Sequence, residues 1–92
     1  MILRITSRAE GDIAAILSYI MERSPLGASR VGASIRQGLD FIAAHPTGGQ
    51  RVRPSVRVKI LTDYPYKIFY RLNGEFIEIV HVRHTSRRQW FG

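Results

Sequence analysis

Ninety-two residues with 45% hydrophobic content and no cysteine describe one domain, residues 1–92, able to bury over ~60% of the surface its unfolded chain exposes; they exclude a disulfide framework, thiolate chemistry and a Cys-based zinc site. No apolar run approaches the ~20 residues of a membrane span, so a cytoplasmic protein without membrane contact is expected. The formal charge of +7 is lopsided: after Gln50 nine basic side chains stand against three acidic ones, while the first fifty residues carry five and four, an arrangement suited to an acidic protein partner or a nucleic acid backbone.

In chain order, Ile2-Leu3-Arg4-Ile5-Thr6 is short and β-branched and reads as an opening strand. Ser7 stands three residues before Glu10, the spacing of a capping box that satisfies free N–H groups at a helix start. Ala9, Ile13, Ile16 and Ile20, with Tyr19 beside them, then form one apolar helical stripe. Pro25 disfavours the α region at its predecessor, so this helix is expected to end near Ser24. Ala28, Val31, Ile35, Leu39 and Ile42 mark a second amphipathic helix, joined to the first through Pro25-Leu26-Gly27 as an antiparallel hairpin. His45-Pro46-Thr47-Gly48-Gly49 ends it, with a left-handed glycine expected there.

A basic loop follows. Val56, Val58 and Ile60 then alternate with Arg57 and Lys59, the period-2 signal of a strand. Asp63-Tyr64-Pro65 reads as a turn, Tyr66 to Leu72 as the next strand, and Asn73-Gly74 as a type I′ hairpin turn. Phe76 to His84 closes the meander. Ile77 and Ile79 on one face, with Val80 and Val82 on the other, make it a central strand covered on both sides. The order β-α-α-β-β-β predicts an α+β fold, with a helix hairpin packed on one face of a mainly antiparallel, twisted sheet.

The chemistry-bearing residues concentrate in the meander. Arg57, Lys59, Lys67 and Arg71 are expected on its exposed face, joined by Arg83 and by Arg87 and Arg88 after the last strand. Such a cluster clamps phosphates and stabilises charge developing on a scissile one; as a solvated face it would only keep the sheet soluble and its edges protected. His81 and His84 lie three apart in a strand and point to opposite faces, an arrangement that does not suit a shared metal. His84 at the strand end is either a general base or phosphate contact, or a structural hydrogen-bonding group. Trp90 and Phe91 would stack on a base, anchor a partner or close the core. Tyr66 and Tyr70 share a face with Ile68 and Leu72 and read as core. No phosphate-cradling motif follows Gly48-Gly49, and no metal or cofactor is expected.

Taken together, four stretches resemble the ParE/RelE superfamily of type II toxins, the plasmid-stabilisation proteins. They are Ala9-Glu10-Gly11-Asp12-Ile13 running to Tyr19-Ile20 and Glu22-Arg23-Ser24-Pro25; His45-Pro46 with Gly48-Gly49; Tyr64-Pro65-Tyr66-Lys67-Ile68-Phe69-Tyr70-Arg71; and Ile79-Val80-His81-Val82-Arg83-His84-Thr85-Ser86-Arg87-Arg88. The resemblance spans nearly the whole chain and is closer to ParE. It implies a growth-inhibiting toxin held in a hetero-oligomer by a cognate ParD-like antitoxin whose acidic segment wraps it. ParE-type members inhibit DNA gyrase by binding; RelE-type members cut mRNA on the ribosome without metal, using basic residues of the sheet and a C-terminal acid/base, commonly tyrosine. Arg57, Lys59, Lys67 and Arg87 or Arg88 fall near the basic positions of the second type. The stretch Gln89-Trp90-Phe91-Gly92 holds no tyrosine, so His84, with Arg87, would have to carry such chemistry.

Overall fold

A computed structural model describes residues 1–86. Its elements are β1 (Ile2–Ile5), α1 (Ser7–Met21), α2 (Pro25–Ala44), β2 (Gln50–Arg53), β3 (Val56–Ile60), β4 (Tyr66–Asn73) and β5 (Phe76–His84). The sheet runs in the order β1-β5-β4-β3-β2, with β1 parallel to β5 and the other neighbours antiparallel. The helix hairpin lies on one face, as the order of elements predicts; β5 lies inside the sheet between β1 and β4, as its apolar run predicts, although β4 is the middle strand.

Several local readings move. Thr6, not Ser7, caps α1: its Oγ1 accepts from the Ala9 N–H at 3.2 Å and donates to the Ile79 carbonyl at 2.7 Å, pinning the helix start to β5. α1 ends at Met21, and Pro25-Leu26-Gly27 is the first turn of α2 rather than the joint. Ser24 caps that turn by accepting from the Gly27 N–H at 2.9 Å, and Pro25 occupies a position where its missing N–H costs nothing. The stretch read as a basic loop holds the edge strand β2, which makes a fifth strand.

The β4–β5 turn is also displaced by one residue. Asn73 pairs with Phe76, so Gly74 and Glu75 are the central residues, and among the described residues only Gly74 has positive φ, at 61°. Positive φ at the first central position alone matches type II′, not type I′. It follows that neither Gly48 nor Gly49 is left-handed. Gly49 is instead needed for space, since a Cβ there would meet the Tyr70 hydroxyl at 2.5 Å and the Val58 carbonyl at 2.8 Å.

Strict alternation fails once in β5. The register shifts between Phe69 and Tyr70, whose partners are His81 and Ile79, leaving Val80 unpaired. This bulge brings Val82 to the same face as Ile77 and Ile79. Those three join Ala9, Val31, Ile35, Ile42, Leu61, Ile68 and Tyr70 in the main core beneath the helices. Val58, Phe69 and Val80 form a second cluster on the other face, with Val52 and Val56 packed against it.

Candidate functional site

Strand register decides which cations meet. Arg57 pairs with Tyr70 and Lys59 with Ile68, so both stand on the helix-covered face. Lys67 and Arg71 alternate with these core residues and stand on the opposite, open face with Phe69. The expected single cluster of Arg57, Lys59, Lys67 and Arg71 is therefore split in two. Alternation holds within each of these strands, but the relation between the strands is set by the 61–65 connection, where Leu61 N–H donates to the Tyr66 carbonyl.

On the helix side, the Arg57 guanidinium donates to the Thr47 and Gly49 carbonyls, at 3.2 and 2.9 Å. Lys59 sits 4.1 Å from the centre of the Phe41 ring on α2. The same loop is held by Tyr70, whose hydroxyl donates to the Pro46 carbonyl at 2.8 Å and accepts from the Gly49 N–H at 2.9 Å. Tyr70 is thus core, as read, and also the anchor of the segment that delivers β2.

On the open face, Glu78 of β5 lies between Arg71 and Arg4, in ion pairs with both. Hydrogen bonds from Arg4 and then Arg71 hold its carboxyl down to about 2, against the resistance of burial. Arg71 is accordingly neutralised. Lys67 and Arg83, directly opposed across β4 and β5, have no such carboxylate among the described residues.

Where β1 stops at Ile5, the continuing edge of β5 is taken over by α1. Asp12 accepts from the Val82 N–H and from His81 Nδ1, both at 3.1 Å. Burial lowers the His81 pKa, and the Asp12 bond opposes that shift. Asp12 stands in the first stretch of the family resemblance, but nothing in the local sequence points to its contact with β5.

A cleft of about 570 Å³ opens beside this contact, lined by Asp12, Ala15, Ile16 and Tyr19 of α1 and by Tyr66, Val82, Arg83, His84 and Ser86. Tyr19, counted in the apolar stripe, is 60% exposed at the cleft, with the Arg23 guanidinium 3.6 Å over its ring. His84 packs edge-on to Tyr66, with ring centres 5.3 Å apart. Its Nδ1 accepts from the Ser86 N–H at 3.1 Å and lies 2.7 Å from the Ser86 hydroxyl. That bond places the proton of the neutral ring on Nε2, a donor rather than a base. His81 and His84 do face opposite sides, opposite Phe69 and Tyr66 respectively. Arg87, Arg88 and Trp90 lie outside the described residues. Among the described residues no cluster of His, Asp or Glu is placed to hold a metal, and no helix is long and apolar enough to cross a membrane.

Known proteins resemble this chain over most of its length. Residues 3–89 match the family described as ParE toxin of type II toxin-antitoxin system, parDE. Toxin RelE2 of Caulobacter vibrioides is 33% identical over 82 residues, covering 89% of this chain and 92% of that protein. Putative toxin Y4kP of Sinorhizobium fredii is 37% identical over 89 residues, covering 96% and 91%. Among solved structures, a chain from the chromosomal ParDE TA system of P. aeruginosa superposes with a TM-score of 0.80 at 23% identity, covering 94% of this chain and 97% of that one, which shows the shared fold.

Proposed function

The chain belongs to the ParE toxin family of type II toxin–antitoxin systems, and on that premise we propose that it acts in the cytoplasm, arrests growth by binding DNA gyrase, and is neutralised by a cognate ParD-like antitoxin. The observation that carries the binding mode is the division of the cations. Arg57 and Lys59 stand on one face of the sheet and Lys67 and Arg71 on the other, so one scissile phosphate cannot meet all four. Arg71 is further committed to Glu78, and His84 offers a donor where a nuclease would need a base. An inhibitor that works by occupying a surface needs none of these groups assembled around one reacting atom.

A second reading, a metal-independent ribosome-dependent endoribonuclease, draws on the relative named Toxin RelE2 and on His84 and Arg83 sharing one cleft. Growth arrest, gyrase supercoiling and ribosome-dependent mRNA cleavage, measured on the same purified protein, decide between the two. Supercoiling inhibited by wild type and equally by His84→Gln is the expected result. MRNA cleavage that His84→Gln reduces by the ~10²–10⁴-fold typical of lost proton transfer, with the variant folded, would replace the gyrase reading.

A further inference from the structure

Ile60, Lys67 and Arg83 are directly opposed across β3, β4 and β5 and form one row on the open face. Lys67 is only 5% exposed. Its ammonium lies 5.6 Å from the centre of the Phe69 ring, and no carboxylate of the described residues is within ion-pairing reach. The Nε of Arg83 is buried without a hydrogen-bond partner. Directly opposed strand residues have Cβ atoms ~4.5–5.5 Å apart, where like charges oppose folding. A buried cation without a counter-charge adds a desolvation cost. The neighbouring Arg71 shows what the fold does when it needs only structure: it supplies Glu78.

The surroundings narrow the missing anion. Ile60, at the end of the row, is apolar and 54% exposed, and Val58 and Phe69 lie beside it in the buried cluster. A phosphate backbone would answer the charges but leave Ile60 against water. A recessed ammonium is better reached by a carboxylate on a side-chain stem, and an apolar neighbour on the same segment would cover Ile60.

From this we infer that Lys67 and Arg83 form a carboxylate receptor, with Ile60 as its apolar rim, for an Asp or Glu carried beside an apolar residue on a segment of the antitoxin. The inference rests on the toxin–antitoxin reading and locates one contact within it. The unfavourable pair is then retained because it is completed only in the complex, so the site should weaken the free chain and strengthen the bound one.

The test uses the full chain and the purified antitoxin encoded beside it. Lys67→Met and Arg83→Met keep the stems and remove the charges. Each is expected to weaken the antitoxin complex at least tenfold, with the double variant losing less than the product because both cations address one carboxylate. Free Lys67→Met should melt several degrees above wild type. Unchanged affinity in Lys67→Met beside a tight wild-type complex overturns the receptor and leaves the toxin–antitoxin reading standing; no complex with wild type withdraws that reading and the receptor with it. A free Lys67→Met that melts below wild type makes Lys67 structural and overturns the receptor. Displacement of the antitoxin by duplex DNA, lost in the Arg83→Met variant, would assign the site to phosphate instead.

Discussion

Beneath the helices the sheet presents Ile68, Tyr70, Ile77, Ile79 and Val82, all buried, against the stripe of α1 and α2. On the opposite face the apolar cluster shrinks to Val58, Phe69 and Val80, and Lys67, Glu78 and His81 are buried around it. One face is held by shape and apolar area. The other is held by few apolar contacts and by charges, of which Glu78 is paired with Arg4 and Arg71 and Lys67 has no carboxylate partner among the described residues. Apolar packing and buried charge are thus laid on different sides of the same strands.

The largest expected effect falls on the covered face. Ile68→Ala empties a fully buried position and should cost ~2–5 kcal/mol, read as a drop in melting temperature of about 4–8 °C for each kcal/mol. Val58→Ala, in the smaller cluster at 6% exposure, should cost less. Equal losses would break the division of labour between the faces.

Next in size is Tyr70→Phe, which keeps the ring and removes the hydroxyl that ties Pro46 and Gly49 together. Leaving the buried Gly49 N–H without its acceptor should cost ~1–3 kcal/mol. Because Tyr70 holds the segment entering β2, amide exchange should quicken in residues 50–53 before it does in β5. Uniform acceleration across the sheet would show that the hydroxyl acts on the whole core instead.

These cases show what the sequence discloses. The helices were legible because Ala9, Ile13, Ile16 and Ile20, like Val31, Ile35 and Ile42, repeat at the helix's own period. β2 was not, because an edge strand with Val52 as its one apolar residue, flanked by Gly49 and Pro54, looks like a loop. Nor was the split of the cations. Alternation fixes faces within a strand, but pairing Ile60 with Lys67 rather than with its neighbour turns the basic faces of β3 and β4 away from each other. The opposition of His81 and His84 was legible because the bulge at Val80 precedes both. Their partners, Asp12 for His81 and Tyr66 for His84, come from other elements and leave no local pattern.

Gly74→Val sharpens the corrected turn. Nothing lies within 4 Å of a Cβ added there, so the whole cost is the backbone strain of positive φ on a β-branched residue, ~1–2 kcal/mol. Gly74→Asn, which tolerates that conformation, should cost less. If valine and asparagine melt together with wild type, Gly74 does not hold the φ of 61° that makes the turn type II′.

The smallest effects are in pH, and they come from the open face. Glu78 titrates at about 2 in the folded chain against 4.5 ordinarily, because Arg4 and then Arg71 bond its carboxylate. Its favourable contribution is therefore complete above about 4.5 and is lost as pH falls towards 2. His81 is held below its usual 6.5 by burial, so the fold favours its neutral form. That contribution is present above about 6.5 and erodes as pH falls below it. Both groups weaken the fold in acid, but in separate windows. Denaturant midpoints followed from pH 7 to 3 should decline in two stages, with His81→Gln flattening the upper and Glu78→Gln the lower. Among the described residues the covered face has no carboxylate or imidazole in its buried core cluster, so amide exchange in the helix-packed residues of α2 should follow the global decline and show no stage of its own. A separate acid transition confined to α2 would mean that the two faces are not divided by chemistry in the way their side chains indicate.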